Sequence, residues 1–248
     1  MSAAGASVSL GAALISAVFT ATVLTKFLQR RTPYNLAWTI GLGMFSLATA
    51  AQVFGELFGY SDAVFRVWYF FGVSNVGLLG LGSVYIANRR AGHGFAVFLL
   101  ALLSVFAGVA GLSTTNPNAL ATFGNPFPPT GAGWAVSTPR LITPVINILG
   151  AAALIGIALY GLVKFHLRYN AYIAAGGIVL GIATALTRFE QASFFYVGLF
   201  AGIAVLFFGF LKAVEWAKEH RRTTPGGGPP PARAEAPESS EPGATAPK

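Results

Sequence analysis

Thr49, Gln52 and Glu56 recur at spacings of three and four inside an otherwise apolar run. On a helix that spacing puts all three on one face. A hydroxyl, an amide and a carboxylate sharing a face can bind a small polar solute or ion. A second set comprises Thr184, Arg188 and Gln191, with Thr187 and Glu190 beside them. Three arginines, Arg66, Arg140 and Arg188, balance three acids, Glu56, Asp62 and Glu190. Two readings fit this balance. It forms a vestibule, with a Glu56–Arg188 pair that gates or binds a solute. Alternatively it is a set of boundary charges that reach for water and tie helix ends together, which is the preferred reading.

Ser74, Asn75 and Asn147 lie deeper in apolar runs. Asn75 falls about 13 Å along a helix from Arg66 at the 1.5 Å rise per residue. An asparagine at that depth either bonds a neighbouring helix, at about 0.6 kcal/mol, or lines a path. The preferred reading is the bond. If a solute path exists, its candidates are Asn75, Gln52, Thr187, Arg188, Glu56 and Asn147.

Other chemistry is not expected. There are no cysteines, and His93, His166 and His220 have no partner at metal-ligand spacing. The glycine-rich run from Gly77 to Gly82 sits inside an apolar stretch, where a phosphate has no access. No nucleophile stands beside a base. The sequence therefore predicts no enzyme, no metal and no cofactor.

The elements that must position these residues are membrane spans. The chain has 248 residues, 54% of them hydrophobic and 10% charged, where a soluble domain carries about 25% charged. Mean hydropathy is +0.65. A span needs about 20 mostly apolar residues. Seven segments qualify, near 8–28, 35–58, 66–87, 94–112, 140–163, 171–189 and 192–214. The fold class expected is an all-α integral membrane protein.

Thirteen of the sixteen lysines and arginines fall in alternate loops and the C-terminal tail. The positive-inside rule puts those loops in the cytoplasm, the N-terminus outside and the C-terminus inside, in a multi-pass plasma-membrane protein. The formal charge of +8 is thus read as topology, and no nucleic acid is expected. No basic n-region precedes the first apolar run, which reads as a retained helix. The outer connection 113–139 is uncharged and rich in proline and glycine. It is either a lid or a packed cover, the cover being preferred, with Phe127 and Trp134 at the lipid interface. From 223 the chain becomes rich in Pro, Gly, Ala and Glu, the composition of a disordered tail.

The first three spans resemble the last three. Lys26-Phe27 recurs as Lys164-Phe165, and Tyr34-Asn35 as Tyr169-Asn170. Fourteen residues after each tyrosine comes Ala-Thr-Ala, at 48–50 and 183–185. Trp68-Tyr69 recurs as Phe195-Tyr196. Both halves start from the same side, which makes a parallel 3+1+3 repeat. Over residues 8–214 this plan is similar to the SWEET sugar transporters and the wider PQ-loop superfamily. Their Pro-Gln pair is absent here, so the resemblance carries over no residues. A retinal protein would need a lysine midway along the seventh span, but Lys212 lies at its cytoplasmic end.

Parallel repeats occur in transporters, with sites at the repeat interface. The function expected is a transporter or channel-like protein for a small polar solute or ion, its path between the two three-helix halves. The alternative is a non-catalytic membrane subunit, and the third reading is a membrane sensor. Expected partners are the lipid bilayer and a membrane protein or a second copy of the chain.

Overall fold

Each helix begins and ends where a local signal dictates. Pro33 opens α2 (Pro33–Phe58), and Gly59, at φ 92°, closes it. Ser61 caps α3 (Asp62–Ala87) by accepting from the Val64 amide. Asn88 caps α4 (Arg89–Leu112) by accepting from the amides of Arg90 and Ala91. That cap starts α4 five residues before the apolar run does, so the expected boundary at 94 falls one turn late. The remaining helices are α1 (Ala3–Arg30), α5 (Pro117–Thr122), α6 (Thr138–Phe165), α7 (Tyr169–Leu186) and α8 (Ala192–Thr223). These come from a computed structural model that describes residues 3–123, 128–186 and 192–223.

Seven of the helices are long and apolar enough to cross a membrane; α5 is the exception. Residues 1–213 form one compact unit, and a second begins at Val214. The expected tail lies outside the described residues apart from Thr223.

Glycine sets the helix spacing in the first unit. Gly41 of α2 meets Asn75 O, Leu78 and Leu79 of α3. Gly80 of α3 packs on the backbone of Gly150 of α6. Gly177 of α7 meets Ile155 of α6, and Gly176 meets Leu206 and Gly202 of α8. Gly11 of α1 rests on Phe200 of α8. Small residues let helices approach closely where lipid supplies no hydrophobic drive between them. The close contacts run from α1 through α2, α3, α6, α7 and α8 back to α1, with α4 on the outside of α3 and α6.

The middle of that ring is filled. Phe19, Trp38, Leu42, Phe45, Leu79, Leu154, Leu199, Ile203 and Leu206 form one buried cluster drawn from α1, α2, α3, α6 and α8. Phe19 stacks on Phe207 with centroids 4.7 Å apart.

The connection after α4 folds into a cover. It contains α5, a 3-10 turn at Gly131–Gly133 and a bridge between Thr115 and Trp134. Trp134 is 1% exposed. It sits against Phe65 and Tyr69 of α3 at 5.1 and 5.5 Å. The lipid-interface position expected for Trp134 is therefore wrong. The loop folds inward, and two aromatic partners plus the Arg66 guanidinium at 5.3 Å outweigh an exposed seat. Phe127 lies outside the described residues.

His166 ends α6 in the left-handed conformation at φ 53°. A Cβ is strained there, and glycine relieves it. His166→Gly is expected to raise stability by about 1 kcal/mol, read as a higher midpoint of denaturant unfolding in mild detergent. An unchanged or lower midpoint would contradict this account.

Candidate functional site

The Glu56 carboxyl is 5% exposed and Gln52 is 1% exposed, on the α2 face predicted to be polar. The pair sits at the end of the bundle where α2 gives way to α3. Gln52 Nε2 donates to Glu56 Oε1 at 3.0 Å and to Ser9 Oγ of α1 at 3.0 Å. Ser9 Oγ donates to the same Glu56 Oε1 at 3.3 Å. Trp68 Nε1 of α3 donates to Gln52 Oε1 at 3.3 Å. Tyr60, in the link between α2 and α3, donates from its hydroxyl to the Gln52 carbonyl at 3.3 Å. Burial pushes the Tyr60 hydroxyl well above the usual tyrosine range, so it remains a donor. Tyr196 of α8 faces the carboxyl from the other half of the chain. Glu56 Oε2 is buried and has no hydrogen-bond partner among the described residues.

The arrangement is a carboxyl whose two oxygens differ. Oε1 is saturated by an amide and a hydroxyl, whereas Oε2 is enclosed and open to a proton or a ligand. The described salt bridge, Arg66 to Asp62 at 2.8 Å, lies elsewhere on α3. No described group of His, Asp or Glu side chains could hold a metal ion.

The other candidates are placed differently. Thr49 donates to Phe45 O and Ser46 O of its own helix. Asn75 is 4% exposed, and its Nδ2 donates to Phe71 O and Gly72 O, also of its own helix. Its polar group is thereby spent on backbone at the α2–α3 contact. Ser74 Oγ and Asn147 Oδ1 are buried without a partner among the described residues. Thr187, Arg188, Glu190 and Gln191 lie outside the described residues, so the Glu56–Arg188 pair does too. Arg66 and Arg140 act as ties: Arg140 donates to Trp134 O at 3.0 Å, and Arg66 binds carbonyls at the end of α4.

Beside the cover, an open depression of about 430 Å³ is lined by Val109, Leu112, Ser113, Thr114, Val136 and Thr138. It contains none of the candidates.

The structure thus joins Gln52 and Glu56 and adds four residues that the polar-face argument missed: Ser9, Tyr60, Trp68 and Tyr196. Ser9 carries no signal beyond being a hydroxyl in the first span. Trp68 and Tyr196 were visible only as repeat markers. No protein-family model matches the chain, and no curated protein is similar to it in sequence.

Proposed function

We propose that the chain is a membrane transporter or channel-like protein for a small ion or polar solute, its path between α1–α3 and α6–α8 being closed in this conformation. The observation that carries this reading is the buried Glu56 network, to which α1, α2 and α3 contribute from one half and α8 from the other. A carboxyl held inside a membrane bundle is costly, and by default it marks a path or a proton relay.

The contacts between helices support the parallel repeat. Taking α2 onto α7 by 135 positions and α3 onto α8 by 127 aligns Tyr34 with Tyr169 and Tyr69 with Tyr196. With those offsets Gly41 meeting Leu79 and Asn75 O corresponds to Gly176 meeting Leu206 and Gly202 O. Trp38 against Gly82 corresponds to Ile173 against Gly209. The same register, read at two contacts one helical turn apart, recurs in both helix pairs, which supports the repeat. Aligning Lys26 with Lys164 then sets Ser9 against Asn147, and the α2 offset sets Gln52 against Thr187 and Glu56 against Gln191. The acid belongs to one half and an amide to the other. Charge placement orients this end of the bundle outward, with the N-terminus outside and the basic loops in the cytoplasm of a plasma-membrane protein.

The test is ion flux into proteoliposomes holding the full chain, with H⁺, Na⁺ and K⁺ gradients applied in turn. Flux above that of empty liposomes, lowered at least tenfold by Glu56→Gln, is the expected result. Flux equal to that of empty liposomes for all three, and for a panel of neutral sugars, would overturn it. A second reading, a non-catalytic membrane subunit, is favoured by the filled middle of the ring. It expects no flux and a stoichiometric partner retained in mild detergent.

A further inference from the structure

We infer that the Glu56 carboxyl is a proton-binding site, and that in its protonated form it donates from Oε2 to the Tyr196 hydroxyl, tying α2 to α8. The inference rests on the reading of Glu56 as the working group of the path and names the ion it takes. A proton from water adds to Oε2 of the carboxylate and gives a neutral carboxyl; its release restores the anion.

Three features select a proton over a metal cation. The first is the hydrogen-bond inventory. Oε1 accepts from Gln52 and Ser9, Ser9 Oγ itself accepts from Gln52, and Gln52 Oε1 accepts from Trp68. The oxygens that would ligate a metal are therefore occupied by donors. A hard cation such as Ca²⁺ takes about six to eight oxygens, and among the described residues Oε2 and the Tyr196 hydroxyl are what remains. The second is enclosure: Oε2 is buried and without a partner among the described residues, a costly state for an anion and a mild one for a neutral O–H. The third is reversibility. A tyrosine hydroxyl both donates and accepts, so Tyr196 can face either form of the acid, accepting from the carboxyl and donating to the carboxylate.

Among the described residues, the surrounding elements add two other titrating groups. The link after α2 contributes Tyr60 and α8 contributes Tyr196. Ser9 of α1 and Trp68 of α3, which touch the pair, do not titrate in this range. Tyr60 and Tyr196 lie on opposite sides of the chain's repeat. Only Tyr196 belongs to the second half, so protonation at Oε2 acts on the junction between halves.

The experiment is pH-difference infrared spectroscopy of the full chain in lipid. Wild type is expected to gain a protonated-carboxyl stretch on acidification, and Glu56→Gln to lose it. Tyr196→Phe should keep the band but move it to higher frequency, because the carboxyl loses its acceptor. That variant also covers the case in which Glu56→Gln fails to fold. A wild-type spectrum with no band that depends on Glu56 would overturn the inference. So would a band abolished by Na⁺ at constant pH, which would assign a metal cation instead. A Glu56 band in a protein that carries no flux keeps the proton site and removes the transport reading. Flux without the band does the reverse.

Discussion

Gly80→Ala is expected to destabilise the protein by about 3 kcal/mol, the upper end of the cost of overpacking. α3 and α6 run in the same direction and touch at Gly80 and Gly150. A Cβ on Gly80 would stand 2.5 Å from the Gly150 carbonyl oxygen and 2.8 Å from its Cα. A Cβ on Gly150 would stand 2.5 Å from Val76 O and 2.7 Å from Gly77 N. All four obstacles are backbone atoms and cannot rotate aside. The helices must part, which also strains Gly77 against Ile146 and the 2.8 Å bond between the Tyr69 and Thr143 hydroxyls. Once they have parted, a second methyl costs little. Gly80→Ala with Gly150→Ala should therefore fall well short of the sum of the two single effects. Gly156 on α6 is the control. Nothing lies within 4 Å of a Cβ there, so Gly156→Ala should stabilise by roughly 1 kcal/mol through helix propensity. Thermal unfolding in mild detergent separates the two. Equal midpoints for Gly80→Ala and Gly156→Ala would mean that this helix pair does not hold the bundle.

The spans were legible because their signal is long. About 20 apolar residues between polar turns leave little room for another element, and seven helices long enough to cross a membrane appear at the expected places, although α8 runs nine residues past the expected limit at 214. Boundaries slipped where a cap outran the hydropathy, as at Asn88. The polar face of α2 was legible for the same periodic reason, and Gln52 and Glu56 do meet. Ser9 was not legible, because a lone hydroxyl in an apolar span has no periodic partner. Its role depends on how α1 is rotated against α2, which Gly43 facing Thr20 helps to set. Asn75 shows the opposite difficulty. Its depth was readable from the helical rise, whereas the direction of its amide was decided by a local bond to Gly72 O. Trp134 was misplaced because an uncharged proline-rich loop gives no periodicity from which to infer an inner face.

Arg66→Met should unfasten the cover while leaving the spans folded. The last carbonyls of a helix have no partner within it, and their partial negative charge suits a cation. Arg66 fills that role for α4. It donates from Nη1 to Ala110 O and Gly111 O, and from Nη2 to Ser113 O at 2.8 Å. Its Nε binds Asp62 Oδ2 at 2.8 Å, and Asp62 Oδ1 accepts from Thr115 at 2.6 Å. The guanidinium also lies over Trp134. One side chain thus joins α3, the end of α4 and both sides of the Thr115–Trp134 bridge in the cover. Methionine keeps the apolar stem and removes every donor. Hydrogen bonds to a charged group contribute about 1.5 to 3 kcal/mol each and are not additive, so a local loss of about 3 kcal/mol is expected. Hydrogen exchange should then quicken roughly a hundredfold at Ala135 and Leu120, whose amides bond Thr114 O and Asn116 O. Mid-span amides of α3 should not change. Asp62 is half exposed, and its pair with Arg66 is a surface one, so Asp62→Asn should cost less than about 1 kcal/mol. If the two variants proved equal, the ion pair rather than the carbonyl contacts would be holding the cover, and the assignment of Arg66 as the cap of α4 would fail.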